Sequence, residues 1–224
     1  MKTAILVDGG FYRRKAQQYL GPKPYDQSAN DLFCYCMRHL SQRKGSVHSD
    51  LYRIFYYDCP PVAKKIYHPF LKKQIDLAKT DTYEWMNGFL NELKSKRKIA
   101  LRLGQLSDTQ AHYILNQDAL KDLCNEKRTF HDLSENDFCL NIEQKGVDMK
   151  IGLDISSLAF KKQVDQIVLI SGDSDFVPAA KHARREGIDF ILDPLGADIK
   201  PNLFEHIDGL RSCSLYNLNS YNNL

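Results

Sequence analysis

The chain has 224 residues, which is long enough for one substantial domain with a buried core. Its composition, 43% hydrophobic and 26% charged, is globular and excludes a disordered or fibrous protein. The net charge of only +3 does not by itself indicate a nucleic-acid-binding protein. Basic clusters at 13–15, 94–98 and 184–185 still leave room for a local basic face.

The cysteines and the apolar stretches point to a cytoplasmic protein without a membrane partner. None of the six cysteines forms a CxxC pair or has the spacing of a zinc site, so we expect reduced thiols. The first residues lack the long apolar region of a signal peptide. No stretch approaches the eighteen or so apolar residues of a membrane-spanning helix.

Apolar runs and amphipathic stretches alternate along the chain. The predicted strands lie at 3–8, 50–58, 99–104, 138–144, 166–171, 188–192 and 211–218. The predicted helices lie at 9–20, 31–43, 82–97, within 145–160, at 176–187 and at 202–208. This alternation predicts an α/β sandwich with a mainly parallel sheet. We expect a single domain over 1–224, with an insertion or lid within the polar segment 105–138.

Acidic residues follow two of the predicted buried strands. Asp8 ends the first strand, and Asp173 and Asp175 follow the strand at 166–171. Ligands of open parallel sheets bind beyond the carboxyl ends of the strands, so these carboxylates converge if the two strands are neighbours. Asp148 starts a helix and could reach the same place, whereas Asp154, six residues later, does not share a face with it.

Clustered carboxylates cannot all stay ionised without a compensating cation, and Mg²⁺ or Mn²⁺ suits an all-oxygen site. Such a site can activate water and hold a phosphodiester, which glycines at 9, 10 and 172 would let approach the backbone. Each acid also has a structural alternative. Asp8 could be a turn residue, Ser174 or Asp175 a helix cap, Asp148 a first-turn acid and Asp154 a structural residue.

Several other chemistries lack their sequence motifs. There is no GxGxxG, no GxxxxGK[ST], no GxSxG and no HExxH, which excludes the common dinucleotide, P-loop, hydrolase-elbow and zincin sites. A phosphatase with an aspartyl nucleophile at the strand end usually has a second acid two residues later, where this chain has Gly10.

Three stretches, AILVDGGFY, KGVDMKIGLDISSLAF and LISGDSDFVPAAKHARREG, resemble in sequence and order the NYN domain family, in the LabA-like branch of the PIN-like nucleases. The resemblance implies a PIN-like three-layer α/β/α sandwich and a metal-dependent endoribonuclease acting on RNA. By motif, Asp8, Asp148, Asp173 and Asp175 are the implied catalytic and Mg²⁺- or Mn²⁺-binding residues. Asp154 matches a further acid often present on that helix.

Residues near these motifs are candidates for contacts to the RNA backbone. They are Arg13, Arg14, Lys150, Gly172 and Ser174. The turn Gly9-Gly10-Phe11 departs from relatives that carry Asn shortly after the first acid. This departure keeps a second hypothesis open, in which a catalytically weak or inactive NYN-fold regulator or adaptor binds RNA or a protein partner. A homo-oligomer is a further expectation.

Overall fold

The computed structural model describes residues 1–40 and 49–214, apart from the side chains of residues 108–110. The strands are β1 (Lys2–Asp8), β2 (Asp50–Asp58), β3 (Lys65–His68), β4 (Lys73–Asp76), β5 (Ile99–Leu103), β6 (Gln105–Leu115), β7 (Phe138–Lys145), β8 (Gln166–Ile170), β9 (Asp189–Asp193) and β10 (Gly209–Leu210). The α-helices are α1 (Gly9–Leu20), α2 (Tyr25–Arg38), α3 (Asp81–Ser95), α4 (Gln117–Cys124), α5 (Val147–Phe160), α6 (Val177–Arg185) and α7 (Pro201–Phe204).

A six-stranded sheet in the order β10-β9-β8-β1-β2-β5 forms the centre of the fold, and all its pairs are parallel. One hydrophobic core lies between the sheet and α1, α2 and α3, and the other between the sheet and α5, α6 and α7. The predicted α/β/α sandwich with a mainly parallel sheet is therefore confirmed. Strand β1 is apolar throughout because Ala4 and Leu6 face one core while Ile5 and Val7 face the other.

The order in which strands are added to the sheet reverses between the neighbouring strands β1 and β8. From β1 the chain continues to β2 and β5 on one side, and from β8 to β9 and β10 on the other. The pairing of Val7 with Ile170 places Asp8 and Ser171 side by side at the carboxyl ends of these strands. Such a reversal opens a crevice at this edge, which is where open α/β sheets bind ligands.

Two antiparallel pairs extend the fold. The β3–β4 hairpin (65–76) was not predicted, because its strands of four residues are too short to show a clear alternation. The segment 105–138, predicted to be an insertion or lid, contains β6 and α4 and leads into β7, which pairs with β6. We call Gln105–Lys145 the arm.

Some predicted boundaries were wrong. Helix α2 begins at Tyr25, directly after Pro24, which is six residues before the predicted start at 31. Residues 211–214, predicted to belong to an edge strand, follow β10 without strand structure. The ends of the predicted helix 31–43 and of the predicted strand 211–218 lie outside the described residues.

A buried polar network lies at the carboxyl end of β9. The Asp193 carboxylate contacts His39 Nε2 at 2.9 Å, accepts a hydrogen bond from the Tyr35 hydroxyl at 2.5 Å and one from the Leu195 N–H at 2.8 Å. Burial lowers the pKa of His39, but the hydrogen bond to Asp193, the interaction with Cys213 and the charge of Asp193 outweigh this effect and raise it overall. The folded protein therefore favours the protonated imidazole beside Asp193 more than the unfolded chain does.

This pair should make stability depend on pH. Because the pKa of His39 is raised above its unfolded value near 6.5, the stabilisation is fully present below that value and is lost as pH rises through the folded pKa. We expect the difference in unfolding free energy between the wild type and His39→Gln to shrink as pH rises above about 6.5. Urea unfolding across this range measures it, and a constant difference would contradict the assignment.

Candidate active site

Asp8 stands where β1 ends and α1 begins. Its Oδ1 accepts a hydrogen bond from the Phe11 N–H at 3.0 Å, which caps α1, and its side chain is half-buried. The predicted turn role of Asp8 and its predicted place in an acidic site therefore coexist. The cap fixes the carboxylate in the crevice between β1 and β8.

Ser171 joins this carboxylate to the next acidic segment. The fully buried Ser171 hydroxyl donates to Asp8 Oδ2 at 3.3 Å and accepts from the Asp173 N–H at 3.2 Å. One hydroxyl thus holds the ends of two neighbouring strands in register. Ser171 was not among the predicted site residues, although its position directly after an apolar strand is visible in the sequence.

Asp173, rather than Ser174 or Asp175, supplies the cap after β8. A short 3-10 helix at Ser174–Phe176 precedes α6, and Asp173 Oδ1 accepts from the Asp175 N–H at 3.0 Å. The prediction that residue 174 or 175 caps the helix is wrong, because the helical turn begins earlier than expected. Asp175 is exposed and accepts no hydrogen bond from any described residue.

Asp148 comes to the same edge from the other direction. It lies in the first turn of α5, after Gly146, whose φ of 80° lets the backbone turn sharply out of the arm. Partial burial raises the pKa of Asp148, and the negative charges of Asp173 and Asp175 raise it further. The structure therefore brings these acids within electrostatic reach of one another.

The pKa of Asp8 responds to the same cluster. Burial raises it most, the Phe11 N–H lowers it, and the charge of Asp148 raises it again. The nearby charge of Arg14 has a smaller, lowering effect. Asp148 is therefore coupled to acids from both neighbouring strands, which makes it the electrostatic centre of the cluster.

Within residues 1–40 and 49–214, Asp8, Asp148, Asp173 and Asp175 form no ion pair with a basic side chain. This uncompensated all-oxygen set suits a divalent cation chemically. In the same ranges, no three His, Cys, Asp or Glu side chains form a ready-made metal cage. Mg²⁺ usually binds through one or two carboxylates and retains waters, so the acids present fit it without such a cage.

Asp154 points to a different set of partners. Its Oδ2 accepts from the Tyr57 hydroxyl at 2.8 Å and from Arg102 Nε at 3.0 Å. These contacts favour the structural role that was one of the two predictions for this residue. Asp154 and Asp148 thus lie on one helix but in different electrostatic environments.

Two of the predicted phosphate contacts have partners inside the protein. Arg13 binds Asp58 through Nε at 2.9 Å and Nη2 at 3.1 Å, and Lys150 Nζ donates to the Leu103 carbonyl. Arg14 is exposed and lies close enough to Asp8 to affect its pKa. Of the three predicted basic contacts, Arg14 is therefore the one whose side chain is best placed to meet a ligand at this edge.

Gly172 and Ser174 flank the acids. A Cβ at Gly172 would lie 2.8 Å from the Phe11 ring, so packing alone requires glycine there. The same holds for Gly9, where a Cβ would lie 2.4 Å from the Tyr56 ring. Ser174 Oγ accepts from Lys200 Nζ at 3.1 Å, which places an exposed lysine beside the acids. Sequence analysis missed Lys200, since its chain position carries no motif.

Two further residues were missed. Gln144, near the end of β7, and the Asp8 carboxylate both lie beside Gly10, since a Cβ there would lie 3.6 Å from Gln144 Oε1 and 3.6 Å from Asp8 Oδ1. Asp58 ends β2 as Asp8 ends β1, and it is completely buried. The strand-end rule that selected Asp8 would also have selected Asp58.

The sequence of this chain matches a known domain family. The NYN domain model matches residues 82–198, which is more than half of the chain. The chain belongs to the NYN domain family. The matched range contains Asp148, Asp173 and Asp175 together with the arm, whereas Asp8 precedes it. Membership supports a PIN-like, ribonuclease-type fold for this NYN domain.

The other comparisons add little about this NYN protein. A crystal structure of a protein of unknown function from Vibrio parahaemolyticus is similar, with 16% identity, 95% of this chain and 93% of that chain covered, and a TM-score of 0.45. No curated protein matches. In the described ranges, no helix is both long and apolar enough to cross a membrane.

Proposed function

We propose that this NYN domain is a divalent-metal-dependent endoribonuclease whose site is formed by Asp8, Asp148, Asp173 and Asp175. One observation carries the proposal. Four carboxylates, at the ends of β1 and β8 and in the first turn of α5, influence one another electrostatically, and none of them has an ion-pair partner among the described residues. A protein that only binds RNA gains nothing from uncompensated negative charge beside a polyanion.

The four acids form two pairs. In one pair, called the fixed acids, a hydrogen bond from the backbone holds the carboxylate, and in the other pair, the free acids, it does not. Asp8 and Asp173 are each held by a backbone N–H at one oxygen, so their positions are set before any ligand binds. Asp148 and Asp175 accept no hydrogen bond from the described residues, and both are exposed. The fixed acids would orient the ion, and the free acids would complete its shell. Bound there, Mg²⁺ or Mn²⁺ would supply Lewis-acid activation of water and of the phosphodiester.

Basic side chains at the margins would position the substrate. Arg14 lies on α1 near Asp8, and Lys200 bonds Ser174, between Asp173 and Asp175 in the chain. Contacts of these two cations to phosphates on either side of the scissile bond would offset the repulsion between RNA and the carboxylates. The exposed oxygens of the cluster leave the edge open to a chain that passes across it.

Asp173→Asn tests the metal site. Asn can still cap the 3-10 helix, so the local fold should persist while a charged oxygen is lost. We expect RNA cleavage to fall by about 100-fold or more, because the ion that would activate water loses one of the oxygens that orient it. Purified wild type and variant are incubated with single-stranded and structured RNA in Mg²⁺, Mn²⁺ or chelator, and initial rates are compared.

The outcomes separate the two hypotheses for this NYN protein. Cleavage that needs a divalent ion and fails in the variant supports the nuclease. Cleavage in chelator, or equal cleavage by the variant, contradicts the metal site. RNA binding by the wild type without any cleavage favours the adaptor.

A further inference from the structure

The β3–β4 hairpin carries an unusual concentration of positive charge. The hairpin, residues 65–76, has three lysines and one acidic residue, Asp76, and two further lysines flank it at 64 and 79, so residues 61–80 carry a net +4 in a chain whose total is +3. Lys65, Lys72 and Lys73 are exposed, and in the described part of the chain none of them lies within ion-pair distance of an acid. The weak net charge therefore conceals one strongly basic element.

Two aromatic side chains of the same hairpin face solvent. Tyr67 is 56% exposed and Phe70 is 41% exposed. Along β3 exposure alternates, so Lys65 and Tyr67 share the outer face while Ile66 and His68 face inward. Large aromatic rings held in water between lysines are costly for a protein to maintain without a ligand for them.

The hairpin is held rigidly against the arm. The buried His68 ring lies 4.3 Å from Tyr113 and 5.4 Å from Phe138, and Phe70 lies 5.8 Å from Phe138. His68 Nδ1 also accepts from the Leu71 N–H at 3.3 Å, which fixes the turn. The outer rings are thus presented on a preformed support, and a ligand would order little of the chain on binding.

The hairpin is connected to the edge of the sheet that carries the acids. Asp58 ends β2 at the carboxyl edge of the sheet, and the hairpin begins at Lys65. Seven residues of chain span at most about 25 Å. The arm, which supports the hairpin, ends at Lys145, three residues before Asp148. Both connections of the hairpin therefore lead to the carboxyl edge of the sheet.

We propose that the β3–β4 hairpin binds single-stranded RNA, with bases stacked on Tyr67 and Phe70 and phosphates on Lys65, Lys72 and Lys73. Aromatic faces interleaved with cations are how proteins hold unpaired nucleotides without reading their sequence. A duplex keeps its bases stacked on one another and cannot offer them to these rings. The inference takes its ligand, RNA, from the proposed function, but the binding step needs no catalysis.

Binding is measured by fluorescence anisotropy with labelled oligouridine, and with an RNA duplex of equal length, both in chelator. Tyr67→Ala and Phe70→Ala should each weaken oligouridine binding about fivefold or more, with little effect on the duplex. Lys72→Gln/Lys73→Gln should make the negative slope of log K against log salt shallower, by roughly 0.7 for each lysine removed.

Matched controls lie at other sites. Phe204→Ala removes an exposed aromatic ring from α7, and Lys161→Gln/Lys162→Gln removes an adjacent, exposed lysine pair at the end of α5. Both should bind oligouridine as the wild type does. Circular dichroism checks that each variant is folded.

Unchanged oligouridine affinity in the hairpin variants would overturn the proposal. The lysines would then serve to prevent other chains from pairing with an exposed strand edge. Equal weakening on duplex and single strand would overturn the stacking role. If the wild type cleaves RNA but the hairpin variants bind normally, only this inference fails. If the hairpin binds RNA but the wild type cleaves none, only the nuclease proposal fails.

Discussion

Asp148→Asn is expected to reduce RNA cleavage by about 100-fold or more, while Asp154→Asn on the same helix leaves it near the wild-type rate. Asp148 is coupled to Asp8, Asp173 and Asp175, whereas Asp154 is bound by Tyr57 and Arg102. Initial rates in Mn²⁺ measure the difference. The two substitutions are chemically identical and six residues apart, so the comparison isolates position within the site.

A second readout of Asp148→Asn does not depend on activity. In chelator, removing one of several repelling carboxylates should leave the Tm unchanged or raise it, because the folded state raises the pKa of Asp148 and disfavours its charge. Added Mn²⁺ should then raise the Tm of the wild type more than that of the variant, since an ion stabilises the state that binds it. Equal shifts in both proteins would contradict a role for Asp148 in holding the ion.

Arg13→Met is expected to destabilise the protein by about 3–5 kcal/mol, which is the cost of leaving a buried charge without its partner. Asp58 is completely buried and binds Arg13 through both oxygens, with the Tyr56 hydroxyl at 2.7 Å and the Cys59 N–H at 2.8 Å as its other donors. Removing the guanidinium leaves these neutral donors to hold the carboxylate. Urea unfolding measures the change.

Arg14→Met is the matched control. Arg14 is exposed and, in the described ranges, has no ion-pair partner, so its loss should change stability little. Asp58→Asn added to Arg13→Met should recover part of the lost stability, because it removes the buried charge itself. A stable Arg13→Met protein with impaired RNA binding would instead support the predicted contact between Arg13 and a phosphate of the RNA.

Much of the fold was predictable because its determining pattern is local. The apolar run at 3–8 and the run at 166–170 are strands buried on both faces, and such strands have few alternatives. Boundaries failed where local signals were weak or misleading. Pro24 and its neighbours resemble a loop, yet α2 begins immediately afterwards, because Pro is well tolerated at the start of a helix.

The SGDSDF motif predicts which roles are present after the strand but not which residue fills each role. Its position after a buried strand predicts a metal-binding acid, Asp173, and a helix cap, Ser174 or Asp175. In the structure Asp173 provides the cap, and Ser171, the first residue of the motif, bonds both Asp8 and the Asp173 backbone. Which oxygen meets which N–H depends on one turn of 3-10 geometry, and the spacing of residues does not determine it.

The sequence by itself determined that acids stand at several strand ends, since the runs at 3–8, 50–58 and 188–192 stop at Asp8, Asp58 and Asp193. It did not determine their roles, because Asp8, Asp58 and Asp193 look alike there. Only the tertiary structure places Arg13 against Asp58 and His39 against Asp193, from positions 45 and 154 residues away along the chain. Asp8 instead lies beside Asp148 and has no cationic partner in the described residues. Charge compensation is a long-range property, and it separates the structural acids from those left to bind an ion.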